Sequence, residues 1–199
     1  MIHLDELYDL YEPDNVMKFA SRSPGFDENV TTYVDLPCSF NSSGPTVTIF
    51  GLEPRYGGSK DDRFIVERHS THLFYGSVFG ASVWNKNNLY YKAFKELIDF
   101  TRLYMLDTVK HYFFTGNIKK DHDHARDTYK ANSQLYLPWV KQELELIKPD
   151  VVVALGREVE RFFKNNSIFC EYIRHPANGG LGDTQKKLRS LLTKWRKNN

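Results

Sequence analysis

Cysteine is scarce in this sequence: two residues in 199, Cys38 and Cys170, far apart and without a CxxC pair. That excludes a disulfide framework and the cysteine spacing of a zinc or iron–sulfur site. A reduced, cytoplasmic chain with no cofactor and no bound metal is the simplest expectation. Long apolar runs are also missing, so no stretch approaches the length needed to span a bilayer, and no membrane partner is expected. The start, Met1-Ile2-His3-Leu4-Asp5-Glu6, lacks the basic and then apolar pattern of a secretory signal. Gly57-Gly58-Ser59-Lys60 lacks the leading glycine of a phosphate-binding P-loop, which removes that NTPase class.

Net charge is small, +2 with a pI near 8.4, too mild to require a nucleic-acid partner by itself. Its distribution is uneven. Residues 1–35 hold eight acidic and two basic side chains, whereas residues 184–199 hold six basic and no acidic ones, so the C-terminal end is the anion-attracting end. The competing reading of that basic stretch is a solvated helix face.

Length suits one main domain, and beyond residue 45 strand-length apolar runs alternate with helical patterns, the signature of βαβ units. Four strands are expected at 47–50, 111–115, 151–155 and 169–173. Val151-Val152-Val153-Ala154-Leu155, bounded by Pro149-Asp150 and Gly156, fits a strand covered on both faces. Helices are expected over 88–106, 130–147, 157–165 and 183–197. Within 130–147, Tyr136, Val140, Leu144 and Ile147 recur at helical spacing; in the last helix Leu188, Leu191, Leu192 and Trp195 make the inward stripe. Residues 21–45, rich in Ser, Pro, Gly and Asn, read as irregular. Leu4, Leu7, Tyr8 and Tyr11 suggest a helix packed on the outside. The predicted architecture is α/β: a three-layer α/β/α sandwich with a mostly parallel four-stranded sheet over 46–199, preceded by an extension over 1–45.

Parallel strands joined by right-handed crossovers bring their carboxyl-terminal turns to one edge of the sheet, where open α/β folds place binding clefts. Two of those turns carry proline-stiffened motifs, Gly51-Leu52-Glu53-Pro54 and His175-Pro176-Ala177-Asn178, and a third carries Gly116-Asn117. A carboxylate, an imidazole and an amide suit base catalysis, oxyanion stabilisation and amide-type recognition. Structural readings compete with each: Glu53 as a helix-capping carboxylate, His175 as a turn histidine held by backbone, and Asn117 as turn material. Asp121-His122-Asp123-His124 invites a metal reading, but consecutive loop residues rarely aim at one ion, and a solvated loop is expected there. The same holds for His69 and His72.

From Thr46 to Leu192 the sequence resembles the uracil-DNA glycosylase superfamily. Four pieces stand in that family's order: Val47 to Pro54, similar to the strand and first motif; Phe114 to Lys119, similar to a strand ending in an asparagine; Glu143 to Gly156, similar to the helix and third strand; and His175-Pro176-Ala177, similar to the second motif. The resemblance implies a hydrolase that flips a damaged base out of DNA and cleaves its N-glycosidic bond without a metal. Glu53 then orients water and stabilises the sugar cation, and His175 stabilises the departing base. Gly51 and Pro54 frame the pocket with Tyr56 as a wall, Phe64 or Phe79 stacks on the base, and Asn117 reads its edge. Pro176, Asn178, Gly179 and Gly180 approach a DNA phosphate, the glycines allowing close contact.

The sequence also departs from the family. Glu53 stands where the most active uracil-specific branch has aspartate and other branches have asparagine or alanine. Arg55-Tyr56-Gly57-Gly58 follows no familiar branch, and the cluster-binding cysteines of the thermophile-type branch are missing. Two other functions therefore stand beside the enzyme: a nucleic-acid-binding protein of the same fold with altered chemistry, and an α/β protein that binds a free nucleotide or nucleoside. A monomer is expected in each case.

Overall fold

The structure, a computed structural model, describes residues 4–40, 42–54, 65–68 and 73–198. Tyr56, Phe64, His69 and His72 lie outside the described residues. Contacts divide the chain into two compact units, each assembled from three sequence segments: residues 1–37, 52–78 and 107–147 in the first, and 38–51, 79–106 and 148–199 in the second.

The first unit contains helices α1 (Leu4–Asp9), α2 (Pro13–Ala20), α5 (Ile118–Leu135) and α6 (Leu137–Ile147). Its four-stranded sheet has the order β4-β5-β1-β7, with β1 (Thr31–Asp35), β4 (Ile65–Arg68), β5 (Leu73–Gly76) and β7 (His111–Phe114). Strand β1 runs parallel to β5 and antiparallel to β7. Tyr11, Val16, Val34, Leu73, Tyr75, Tyr129, Tyr136 and Trp139 form its core. The N-terminal segment is part of that core rather than an outer layer, because Leu7 and Val16 are fully buried and Phe19 stacks on Tyr136. Pro13 divides the expected helix in two, since proline suits a first helical turn and not an interior.

The second unit holds a five-stranded sheet of order β2-β6-β3-β8-β9: β2 (Cys38–Phe40), β6 (Arg102–Asp107), β3 (Thr46–Gly51), β8 (Val151–Leu155) and β9 (Glu171–Ile173). Strands β3, β8 and β9 are parallel neighbours, with Val47 opposite Val151 and Val153 opposite Glu171. Strand β2 pairs antiparallel with β6. Side chains alternate across a strand, so Val47 and Ile49 face one way and Phe50 the other. The first face is covered by α3 (Val78–Trp84), α4 (Leu89–Phe100) and α8 (Leu181–Asn198), which contribute Phe79, Val83, Phe94, Leu97, Leu188, Leu191 and Leu192. On the second face Phe163, from α7 (Arg157–Asn165), meets Phe50 edge-on at 5.2 Å.

The α/β class and the α7 and α8 positions match expectation, but the single four-stranded, mostly parallel sheet does not. Three of the four expected strands are adjacent as β3-β8-β9; the fourth, at 111–114, pairs with β1 in the other sheet. The segment expected as one helix over 88–106 is α4 followed by β6. Thr101 stops the helix: its backbone is extended (φ −135°, ψ 157°) and its Oγ1 donates to Leu97 O at 2.7 Å. The residues expected to be irregular contain β1 and β2. The expected 130–147 helix is two, α5 ending at Leu135 and α6 opening with Pro138 in its first turn.

Candidate active site

In the second unit, the parallel run β3-β8-β9 brings the end of β3 at Gly51 and the end of β9 at Ile173 to the same edge of the sheet. His175 follows two residues later and opens a single π turn, Pro176–Gly180. Its Nδ1 accepts from the Ala177 backbone N–H at 3.2 Å, and its Nε2 lies 2.6 Å from the Tyr90 hydroxyl. The backbone-held histidine is thus real, and the bond to Ala177 fixes the ring rather than consuming its outer nitrogen. Tyr90 stands in the first turn of α4, where the Asn88 side chain caps the helix by accepting from Tyr90 N at 2.8 Å.

Pro176 is buried, and Gly180 is required by packing within the turn, since a β-carbon there would lie 2.4 Å from His175 O. Thr184 Oγ1 lies 2.5 Å from Arg174 O and 2.8 Å from Gly180 O, tying the turn to α8. Asn178 and Gly179 belong to the same π turn. Phe79 is buried in the core and packs edge-on against Tyr90 at 5.8 Å. The basic residues Lys186, Lys187, Arg189 and Lys194 of α8 are exposed; Lys187 pairs with Glu171, and Arg189 with Glu96.

In the first unit, Glu53 and Pro54 are buried just after Leu52, whose carbonyl accepts from Val109 N at 3.2 Å and from Thr108 Oγ1 at 2.6 Å. Glu53 is 8% exposed. Its charge acts on Asp107, the last residue of β6, itself 4% exposed. Burial above all pushes the Asp107 carboxyl well above the ordinary carboxylate range; the charge of Asp35 and a side-chain hydrogen bond from it add to the rise, Lys110 opposes it, and Glu53 adds further. Two buried carboxyls joined by a hydrogen bond share a proton, because ionising both is unfavourable.

Beneath this cluster Lys110 donates to Asp107 O and, at 2.6 Å, to Glu143 Oε2, while Tyr11 donates to Glu143 Oε1 at 2.5 Å. The stripe expected on α6 therefore carries a fully buried carboxylate between its apolar residues.

Asn117 takes a different place. It is exposed and caps α5, its side-chain oxygen accepting from Lys120 N at 3.2 Å. Asp121-His122-Asp123-His124 is not a loop: it lies in the opening turns of α5. Asp121 there is buried and accepts from Thr115 N at 3.1 Å, and His124 Nε2 lies 3.0 Å from Pro24 O.

Sequence reasoning missed Asp35, Asp107, Lys110, Glu143 and Tyr90. Asp107 was hidden by the helix expectation over 88–106: with β6 unrecognised, its position at a strand end had no meaning. Tyr90 carries no motif at all. A signal for Asp35 existed in Thr31-Thr32-Tyr33-Val34, a β-propensity run ending in a carboxylate.

The family model described as the Uracil DNA glycosylase superfamily matches residues 39–196 of the chain, a span that includes Glu53, Tyr90, Asp107 and His175. No curated protein matches it.

Proposed function

The chain belongs to the uracil-DNA glycosylase superfamily, and from that membership we propose that it hydrolyses the bond between a flipped, damaged base and its deoxyribose in DNA. The observation that supports this most is that the matched residues 39–196 contain both the buried carboxylate Glu53 and the backbone-fixed imidazole His175.

In the proposed reaction Glu53 acts as the carboxylate that orients water. As the bond between C1′ and the base nitrogen breaks, its electron pair leaves with the base. The water oxygen bonds to C1′, and the water proton passes to Glu53. Positive charge on the sugar is stabilised by the same carboxylate, and negative charge on the base by the hydrogen-bond donor system of His175. Glu53 is one methylene longer than aspartate, and proximity catalysis is sensitive to such a displacement, so slow turnover is expected.

Edge recognition needs a donor and an acceptor together. An amide offers both, and we assign that role to Asn117, whose side-chain oxygen accepts from Lys120 N and keeps a second lone pair while its NH₂ group can donate. The π turn Pro176–Gly180 is the proposed backbone contact for a phosphate, and the exposed lysines of α8 supply a sequence-independent attraction to DNA. Release of free base from oligonucleotides containing uracil, with the native chain against Glu53→Gln, tests the reading.

A further inference from the structure

We propose that Thr108 is a positioning residue for Glu53: its hydroxyl fixes the peptide plane from which that carboxylate springs. The inference rests on the glycosylase reading and adds to it what aims the carboxylate.

The backbone around Glu53 is constrained from both sides. On its amino side the Leu52 carbonyl oxygen accepts from Thr108 Oγ1 at 2.6 Å and from Val109 N at 3.2 Å. A peptide unit is planar, so the Leu52 oxygen lies in one plane with the nitrogen and Cα of Glu53, and donors on that oxygen orient the plane. One donor, the Val109 N–H, is enough to satisfy the carbonyl. The second adds direction. On its carboxyl side Glu53 is followed by Pro54, whose ring disfavours helical backbone in the residue before it. What is left to Glu53 is side-chain rotation, in a place where the residue is 8% exposed.

The donors are themselves anchored. Thr108, Val109 and Lys110 link β6 to β7, and Thr108 and Lys110 have no exposed surface. Lys110 O accepts from Asp35 N at 3.0 Å, and the Lys110 ammonium donates to Asp107 O and, at 2.6 Å, to Glu143 Oε2. Behind Thr108, its Oγ1 lies 3.0 Å from the hydroxyl of Tyr129 on α5. All of these residues belong to the first unit. A hydrogen bond in such a buried place is electrostatically stronger than the same bond in water.

In the proposed reaction Glu53 must stand close to both the water and the sugar. A misplacement of about 1 Å costs roughly 10²-fold in rate. The extra methylene of a glutamate adds a torsion between backbone and carboxylate, so a fixed peptide plane is the part of the aim that the fold can supply.

The test measures kcat and KM for the base that the native chain releases fastest from oligonucleotides containing uracil, hypoxanthine or xanthine. Thr108→Val, which keeps the volume and deletes the hydroxyl, is expected to lower kcat by about tenfold with KM unchanged; the loss stays below the 1 Å scale because Val109 still holds the carbonyl. Thr108→Ser, which returns the hydroxyl, restores most of kcat. Combined with Glu53→Gln, the valine substitution costs nothing further, because groups that act as a unit are not additive. A residue that only staples the fold would slow both backgrounds alike. Thermal melting shows whether each variant is folded, and where Thr108→Val is not, Tyr129→Phe takes its place with the same expected pattern and a smaller loss. Native kcat in that variant, or equal losses with and without the Glu53 carboxylate, would overturn the proposal while leaving the glycosylase reading intact. If the native chain releases none of the three bases, the glycosylase reading itself fails and this proposal falls with it.

Discussion

The Lys110 ammonium lies 2.6 Å from Glu143 Oε2, and neither side chain is exposed. Tyr11 bonds the other carboxylate oxygen, so an N-terminal residue, a strand-flanking lysine and an α6 glutamate form one buried network. Burial pushes the Glu143 carboxyl up, with Lys110 and the Tyr11 hydrogen bond working against it. Removing one partner leaves the other charge buried without compensation.

Glu143→Ala is therefore expected to destabilise the fold by about 3–5 kcal/mol, the usual cost of breaking a buried pair from one side. Lys110→Met combined with Glu143→Leu should recover much of that loss, since it removes both charges. Tyr11→Phe should cost less, about 1–3 kcal/mol, for one acceptor left unsatisfied. Denaturant unfolding of the four proteins checks the ranking; equal stability of Glu143→Ala and the native chain would show that the network contributes nothing.

Asp107 gives a pH prediction of definite sign. Its folded carboxyl lies well above the reference value of 3.8, chiefly through burial and then through Asp35. The folded state therefore holds this proton where the unfolded state has lost it. The associated stability is full below 3.8 and is lost as pH rises toward the folded value. Asp107→Asn removes that decline. Melting temperatures from pH 4 to pH 9, taken in steps of about one unit, should show the variant gaining on the native chain as pH rises. A constant difference across the range would contradict the assignment.

His111 behaves in the opposite sense. It is buried, bonded through Nδ1 to Tyr136 at 2.8 Å, and its pKa is lowered from 6.5 to about 3, by burial first and the His124 charge second. The unfolded chain takes up a proton below 6.5 that the folded chain refuses, so stability is present above 6.5 and falls with acid down to about 3. The slope is at most about 1.4 kcal/mol per pH unit. His111→Asn, which keeps a hydrogen-bonding group near Nδ1, should flatten acid unfolding in that window. A His111 ring that titrates in the folded protein near pH 6.5 by NMR would refute this.

Much of the parallel core was legible because it obeys a simple pattern. Val151 to Leu155 is a β-branched run between a proline and a glycine, and α7 and α8 carry clear apolar stripes. The position of His175 just past β9 was legible the same way, as a polar residue following an apolar run and preceding a proline. The strand β6 was not found, because an unbroken apolar run following a helix has no period of its own; Thr101, the residue that ends α4, gives only a local signal. With β6 unrecognised, Asp107 at its end had no place in the sequence reading. Buried charges are harder still. Lys110 and Glu143 are 33 residues apart, and nothing local marks either as interior. Their burial exists only once the tertiary fold supplies each with the other.

The most direct measurement is release of base from oligonucleotides carrying uracil, hypoxanthine or xanthine, comparing the native chain with Glu53→Gln and His175→Ala. Base release by the native chain, reduced by roughly 10²–10⁴-fold in Glu53→Gln and clearly reduced in His175→Ala, is what the account predicts. No release from any of these oligonucleotides, with salt-sensitive DNA binding that survives Glu53→Gln, would contradict it and identify a binding protein built on the same fold.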